Sequence, residues 1–232
     1  MWIVDVGYLS WKMAASVSYG GHPWELTDRI ADDALFCCDS GTSIRQAAYP
    51  SYKSNRATLP EATQKLGALA YDWRTKARKR YAFKYEDGLE ADDLCAIAAA
   101  REYQPQIMSG DKDFLQLLGE VQLVGTDLLP WGIEKIQKKT SLPLDVGEKF
   151  LAYQLLFGDK GDGIPRAIPT KDRTTAPYCF RQEHPLVAAI EMLPEAMVVE
   201  RLNLLMLPTP LHSGSNPIDE VLRRYQLSLT PL

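Results

Sequence analysis

The chain has 232 residues, 46% of them hydrophobic, with 26 basic against 30 acidic side chains and a net charge of −4. That is enough apolar material for one core, or for one domain with a small appendage. It contains no apolar run long enough to span a bilayer, and its start, MWIVDVGYL, has no basic region and carries Asp5 inside the apolar run, so neither a membrane partner nor a signal peptide is expected.

Cys37, Cys38, Cys95 and Cys179 have no CxxC spacing, which suits free thiols in a reducing compartment better than zinc ligands. The acidic sum speaks against a nucleic-acid partner, but the distribution does not. From Arg45 to Lys84 there are ten Lys or Arg against two acids, Glu61 and Asp72.

WIVDV reads as a short buried strand with Asp5 near its end, and residues 9–19 and 24–31 read as helices. ALFCCD (34–39) reads as a second buried strand ending in Asp39. A salt-bridged or edge-strand aspartate would explain either one alone. Two together mark the strand ends where α/β sheets gather ligands. The segment SGTSIRQAAYPSYKSNRATLP reads as a loop in which Tyr52, Lys53 and Arg56 lie close together. It is either an ordinary solvated loop or a site for a phosphate and a stacked base.

Pro60 opens an expected helix over 61–80, with a stripe of Leu66, Leu69, Ala70, Trp73 and Ala77. Arg74, Arg78 and Lys79 fall at or beyond the edge of that stripe, as a solvated basic face or as a contact for nucleic acid. YAFKY (81–85) is the third strand candidate. In GLEADDLCAI, Glu90, Asp92 and Asp93 occupy a first helical turn, where the dipole alone favours acids.

Gln106–Ser109 reads as a fourth strand, with Asp111 and Asp113 two residues apart in an extended segment and therefore on one side. Residues 121–126 read as a fifth strand. A helix over 145–157 leads to a glycine turn holding Asp159 and Asp162, a common arrangement on its own. Helices are expected within 185–205, and a short one over 217–227. The alternation of strand and helix predicts an α/β fold with a central, mostly parallel twisted sheet flanked by helices.

Nine carboxylates thus fall at strand ends, a helix start and one glycine turn. Like charges gathered this closely need cations. A set with no His or Cys suits magnesium or manganese, and two such ions about 4 Å apart serve in-line displacement at phosphorus. Setting these nine aside leaves 21 acids against 26 bases, an excess of five cations.

DVGYL, YKSNR (52–56), EADD (90–93), SGDKDF (109–114) and GDKGDGIP (158–165) occur in an order that resembles the 5′ nuclease, or flap endonuclease, superfamily, above all phage 5′-exonucleases and the 5′-nuclease domain of DNA polymerase I. The resemblance covers residues 1–165. It implies a PIN-like nuclease core over 1–142 with a helical arch at about 53–85. It also implies a helical DNA-binding region over 143–232, with a helix-three-turn-helix element at about 145–165 and a C-terminal extension. Asp5, Asp39, Glu90, Asp92 and Asp111 would hold a first metal ion, and Asp93, Asp113, Asp159 and Asp162 a second.

Lys53 and Arg56 would act on the scissile phosphate and Tyr52 would stack on a base. Arg74, Arg78, Lys79, Lys160, Gly161 and Gly163 would contact DNA, with a potassium ion near 158–165. The expected protein is a monomeric, stand-alone enzyme of the cytoplasm (of the host, if phage-encoded). It would cut 5′ flaps and nicked or 5′-ended duplexes, with RNA–DNA hybrids as further substrates. A PIN-like ribonuclease and a catalytically silent branched-DNA-binding module are the alternatives. After GDGIP the chain reads RAIPTKDRTTAP, where the superfamily usually has a glycine-rich hairpin of the type GVGxKTA.

Overall fold

Five short strands, all parallel, form one sheet in the order β3-β2-β1-β4-β5. They are β1 (Trp2–Asp5), β2 (Ala34–Cys37), β3 (Phe83–Lys84), β4 (Gln106–Met108) and β5 (Gln122–Val124). The structure, a computed structural model, describes residues 1–54, 60–132, 134–136, 147–168 and 180–207. Its described helices are α1 (Val6–Ser18), α2 (Glu25–Ile30), α3 (Ile44–Ala48), α4 (Glu61–Ala77), α5 (Ala91–Ala99), α6 (Gly147–Phe157), α7 (Pro185–Glu191) and α8 (Glu195–Leu205), with a 3-10 helix at Lys112–Leu117.

The central strands are apolar on both faces, as a covered parallel sheet requires. Ile3, Ile107 and Leu123 pack on one side with Cys95, Leu115 and Phe150. Val4, Phe36, Met108 and Val124 pack on the other with Leu9 and Trp73. β1 lies between β2 and β4, in register Val4 with Phe36 and with Met108. The strand order therefore reverses at β1, and the crevice beyond the carboxyl ends of β1 and β4 is where such sheets bind ligands. A third apolar cluster joins α6, α7 and α8 through Leu151, Leu155, Leu156, Ile190 and Leu202, with Tyr52 inserted into it. No helix among the described residues is long and apolar enough to cross a membrane.

Several expectations change in detail. The segment read as one loop contains α3, which Ser43 caps by accepting from the Gln46 amide at 3.2 Å. The helix expected to 80 ends at Ala77, and its stripe fails at Leu69, which is 40% exposed. The second half of α4 lies on α1, with Ala70, Trp73 and Ala77 buried. Trp73 also stacks on Trp24 and donates to the Pro23 carbonyl. The expected arch is therefore anchored along much of its length, while its first turn, from Glu61 to Lys65, is largely exposed.

Asp111 and Asp113 do not lie on an extended segment. Asp111 caps the 3-10 helix, accepting from the Asp113 amide at 3.0 Å, and the Asp113 side chain accepts from Gln154. Arg56, Cys179 and the helix expected over 217–227 lie outside the described residues, as does most of the segment that replaces the glycine-rich hairpin.

Candidate active site

A cavity of about 490 Å³ opens at the carboxyl ends of β1, β2 and β4. Asp5, Asp39, Glu90, Asp92 and Asp111 line it, together with Lys53, Arg74 and Lys112. Each acid arrives there because a strand or helix ends. Asp5 closes β1 and caps α1, accepting from the Tyr8 amide at 3.0 Å; its other oxygen accepts from the Ser109 hydroxyl at 2.7 Å. Ser109 follows β4 and accepts from the Asp111 amide, which joins the two strand ends through one hydroxyl. Asp39 lies beyond β2 and accepts from the Ala91 amide at 2.8 Å, at the start of α5. Glu90 is the residue before α5, in a capping box with Asp93.

The electrostatics follow from burial. The Asp5 carboxyl is pushed up to about 6, chiefly because it is removed from water and further because Asp111 and Asp39 face it. Burial, then the Asp93 charge, also holds Asp92 well above the carboxylate range. Burial opposes ionisation of Glu90 too, but Lys53 and Arg45 outweigh it and keep Glu90 below its usual value. Oxygens of Glu90, Asp92 and Asp93 lie within 4.8 Å of one another. Those of Asp93 are both taken by the Arg45 guanidinium, however, and Asp93 does not line the cavity.

The remaining donors are all carboxylate oxygens that repel one another; Asp5 is buried, Glu90, Asp92 and Asp111 are half-buried, and Asp39 is exposed. Such a set fits a hard divalent cation, which would relieve that repulsion.

The family model for "5′-3′ exonuclease, N-terminal resolvase-like domain" matches residues 24–145, more than half of the chain. The chain belongs to the 5′-3′ exonuclease family. Among its relatives, the thermostable DNA polymerase I of Thermus filiformis is 34% identical over 143 residues, 57% of this chain and 16% of that protein. The DNA polymerase I of Bacillus caldotenax is 31% identical over 160 residues, 64% of this chain and 17% of that protein. The matched region thus spans about a sixth of those relatives' length.

The fold is also that of the bacteriophage T5 flap endonuclease. Its structure with DNA and metal ions aligns with a TM-score of 0.62 at 19% identity, covering 97% of each chain. Its structure with metal ions alone aligns with a TM-score of 0.61, covering 98% of this chain and 97% of the other.

Within this 5′-nuclease fold, the other expected metal-binding acids do not line the cavity but adjoin it through Lys112. Asp113 accepts from the Gln154 amide group at 2.6 Å, and Asp159 is ion-paired with Lys112 and accepts from the Gly161 amide. The Asp113 carboxyl is pushed up to about 8, by burial and then by the Asp111 charge. Asp162 is buried and its carbonyl accepts from the Lys53 amide at 2.9 Å.

Tyr52 is 3% exposed, so its ring packs in the core and cannot stack on a base; its hydroxyl donates to Glu90. Arg78 lies over the Tyr85 ring and Lys79 is exposed beyond the end of α4. Lys160, Gly161 and Gly163 lie in the glycine turn and line a separate cavity with Tyr153, Phe157 and Lys112. The sequence reading did not single out Arg45, Ser109, Lys112 or Gln154, which between them hold most of these acids in place.

A raised carboxyl pKa binds a proton in the folded state that the unfolded chain has released. Stability from Asp5 and Asp113 is therefore fully present below pH 3.8 and is lost as pH rises from there through about 6 and about 8, respectively. A cation prefers the ionised acids. Magnesium is accordingly expected to raise the Tm more at pH 8 than at pH 5, as differential scanning fluorimetry with and without EDTA can measure. An equal rise at both would contradict this account.

Proposed function

We propose that the chain is a structure-specific 5′ nuclease that hydrolyses DNA phosphodiesters at 5′ flaps and at nicked or 5′-ended duplexes, using two or more magnesium or manganese ions. The observation that carries this reading is the single cavity in which five carboxylates meet Lys53 and Arg74 at the switch point of the sheet. Asp5, Asp39, Glu90, Asp92 and Asp111 would hold the first ion. Asp113 from the 3-10 helix, and Asp159 and Asp162 from the adjoining turn, would bear on a second. Divalent ions so held would activate water and offset charge on the leaving oxygen.

The chain's own residues do the rest. Lys53, with Arg56 from the same loop, meets the scissile phosphate and balances the charge that develops on it. Arg74 guides the strand entering the cavity, with Arg78 and Lys79 further along. Lys160, Gly161 and Gly163 meet the duplex backbone, with a potassium ion near 158–165. The water oxygen bonds to phosphorus, the bond to the 3′ oxygen breaks, and that oxygen takes a proton. The products carry a 5′ phosphate and a 3′ hydroxyl.

The same reading divides the chain into a nuclease core over 1–142 and a DNA-binding region over 143–232. It takes the protein to act as a monomer in the cytoplasm and to accept RNA–DNA hybrids. Cys37, Cys38 and Cys95 are free and buried, which suits a reducing compartment.

The test is digestion of 5′- and 3′-labelled flap, nicked and blunt DNA, with single-stranded RNA alongside. Flap cleavage in magnesium, none in EDTA and 5′-phosphate ends are expected. Preferential cutting of the RNA would favour a PIN-like ribonuclease. Tight flap binding without turnover in magnesium or manganese would mean a silent binding module.

A further inference from the structure

Arg45 makes more side-chain hydrogen bonds around the acidic cluster than any acid in it, yet it does not line the cavity. Its guanidinium is largely buried, with 11% of the side chain exposed. Nη1 donates to Glu90 Oε2 at 2.9 Å and to Asp93 Oδ2 at 2.8 Å, and Nη2 donates to Asp93 Oδ1. On its other edge, Nε donates to the Asn203 carbonyl at 3.2 Å and Nη2 to the Met206 carbonyl at 3.1 Å. Those carbonyls belong to the last turn and C-cap of α8, where acceptors have no partner within the helix.

We propose that Arg45 is a positioning residue for the cation site, fixing how Glu90 faces the cavity and withdrawing Asp93 from the ligand set. The inference rests on the cavity binding divalent ions, as proposed above. Glu90 Oε2 is occupied from behind by Arg45 and by the Tyr52 hydroxyl at 3.0 Å. Oε1 is left toward the cavity, where it now accepts from Lys53 Nζ at 2.7 Å. The forked guanidinium meets both Asp93 oxygens at once, a geometry that a lysine ammonium cannot reproduce. With both oxygens so engaged, and the side chain 4% exposed, Asp93 serves as a buried counter-ion.

Arg45 also ties the acids to α8, and α8 is in turn fastened to α6 and the glycine turn by Arg201, which donates to the Leu155 and Pro165 carbonyls. The helical region that follows the sheet thereby sets the geometry of an acid at the sheet's edge.

The test is manganese binding, read by the free-ion EPR signal without DNA, for the full chain and for Arg45→Lys, Asp93→Asn and Asp92→Asn. Arg45→Lys keeps the charge and loses the fork, so its manganese Kd is expected to rise about 10-fold or more, in the range seen when outer-shell partners are removed. Asp93→Asn is expected to weaken binding less than Asp92→Asn. Flap affinity in EDTA is expected to stay within about twofold for Arg45→Lys.

Unchanged manganese affinity in Arg45→Lys, or equal losses in the two asparagine variants, would overturn the inference. So would a drop in Tm with no change in manganese Kd, which is what a merely structural arginine would give. A loss of flap affinity in EDTA would make Arg45 a DNA contact instead. If the unaltered chain binds no manganese, the cation reading of the cavity fails first, and this inference with it.

Discussion

Asp92→Asn is expected to lower magnesium-dependent flap cleavage by about a thousandfold and, in EDTA, to raise the Tm. The first effect follows from the place of Asp92 in the cavity, among the acids that would hold the cation. A cation supplies several kcal/mol of charge stabilisation at such a centre, and a thousandfold loss is about 4 kcal/mol. The second effect follows from what holds the carboxyl above its ordinary range, burial first and the neighbouring Asp93 charge next.

Asparagine has nearly the same shape, keeps an oxygen to accept from the Asp93 amide at 2.9 Å, and brings no charge out of water. Activity and stability thus move in opposite directions, as they do where a site is built at the fold's expense. Single-turnover cleavage at saturating magnesium and calorimetry in EDTA measure the two effects. A variant that loses activity because it unfolds would show a lower Tm and refute this explanation.

How far the sequence reveals such a site depends on how local its determinants are. Asp5 and Asp39 are legible as a pair, because each closes a short apolar run with strand character and two such ends together mark the ligand side of a parallel sheet. The parallel sheet was legible for the same cause, since fully apolar strands separated by helices leave few other arrangements.

The segment from 40 to 54 holds more structure than its loop-like composition suggests. α3 has only five residues, too few to be stable by propensity. Its one local signal was the pair Ser43 and Gln46, which fits a capping-box spacing. Tyr52 looked like an exposed loop aromatic. It is buried because the glycine turn, more than a hundred residues later, folds over its neighbours; a side chain at Gly163 would meet the Ser51 carbonyl at 3.1 Å. Asp111 and Asp113 do not follow the period of an extended chain because the chain passes from β4 into a 3-10 helix within four residues. Arg45 and Gln154 were invisible for a more general reason. Apart from Asp159, five residues from Gln154, their partners lie 41 to 161 residues away in the chain, and no spacing rule reaches that far.

Lys53→Ala is expected to lower the cleavage rate by about 10²- to 10³-fold, the cost of removing one preorganised charge from a developing anion. The magnesium concentration for half-maximal rate should shift by no more than about twofold. The reason lies in how Lys53 is held. Its φ is +57°, a left-handed conformation that costs a non-glycine residue about 1 kcal/mol or more. The backbone amide is pinned there by the Asp162 carbonyl, and the side chain crosses the Tyr52 ring with Nζ 4.7 Å from its centroid. The loop and the glycine turn therefore hold an unfavourable backbone in order to aim one ammonium at the cavity.

In this structure that ammonium rests on Glu90 Oε1. A divalent ion on Glu90 would repel it toward a phosphate, so Lys53 contributes to the rate and not to ion affinity. Lys53→Arg, which keeps the charge, should recover part of the rate. Lys53→Gly, which accepts a positive φ without strain, should recover none. Recovery of the rate in Lys53→Gly would show that the loop's conformation, and not the ammonium, is what the reaction needs.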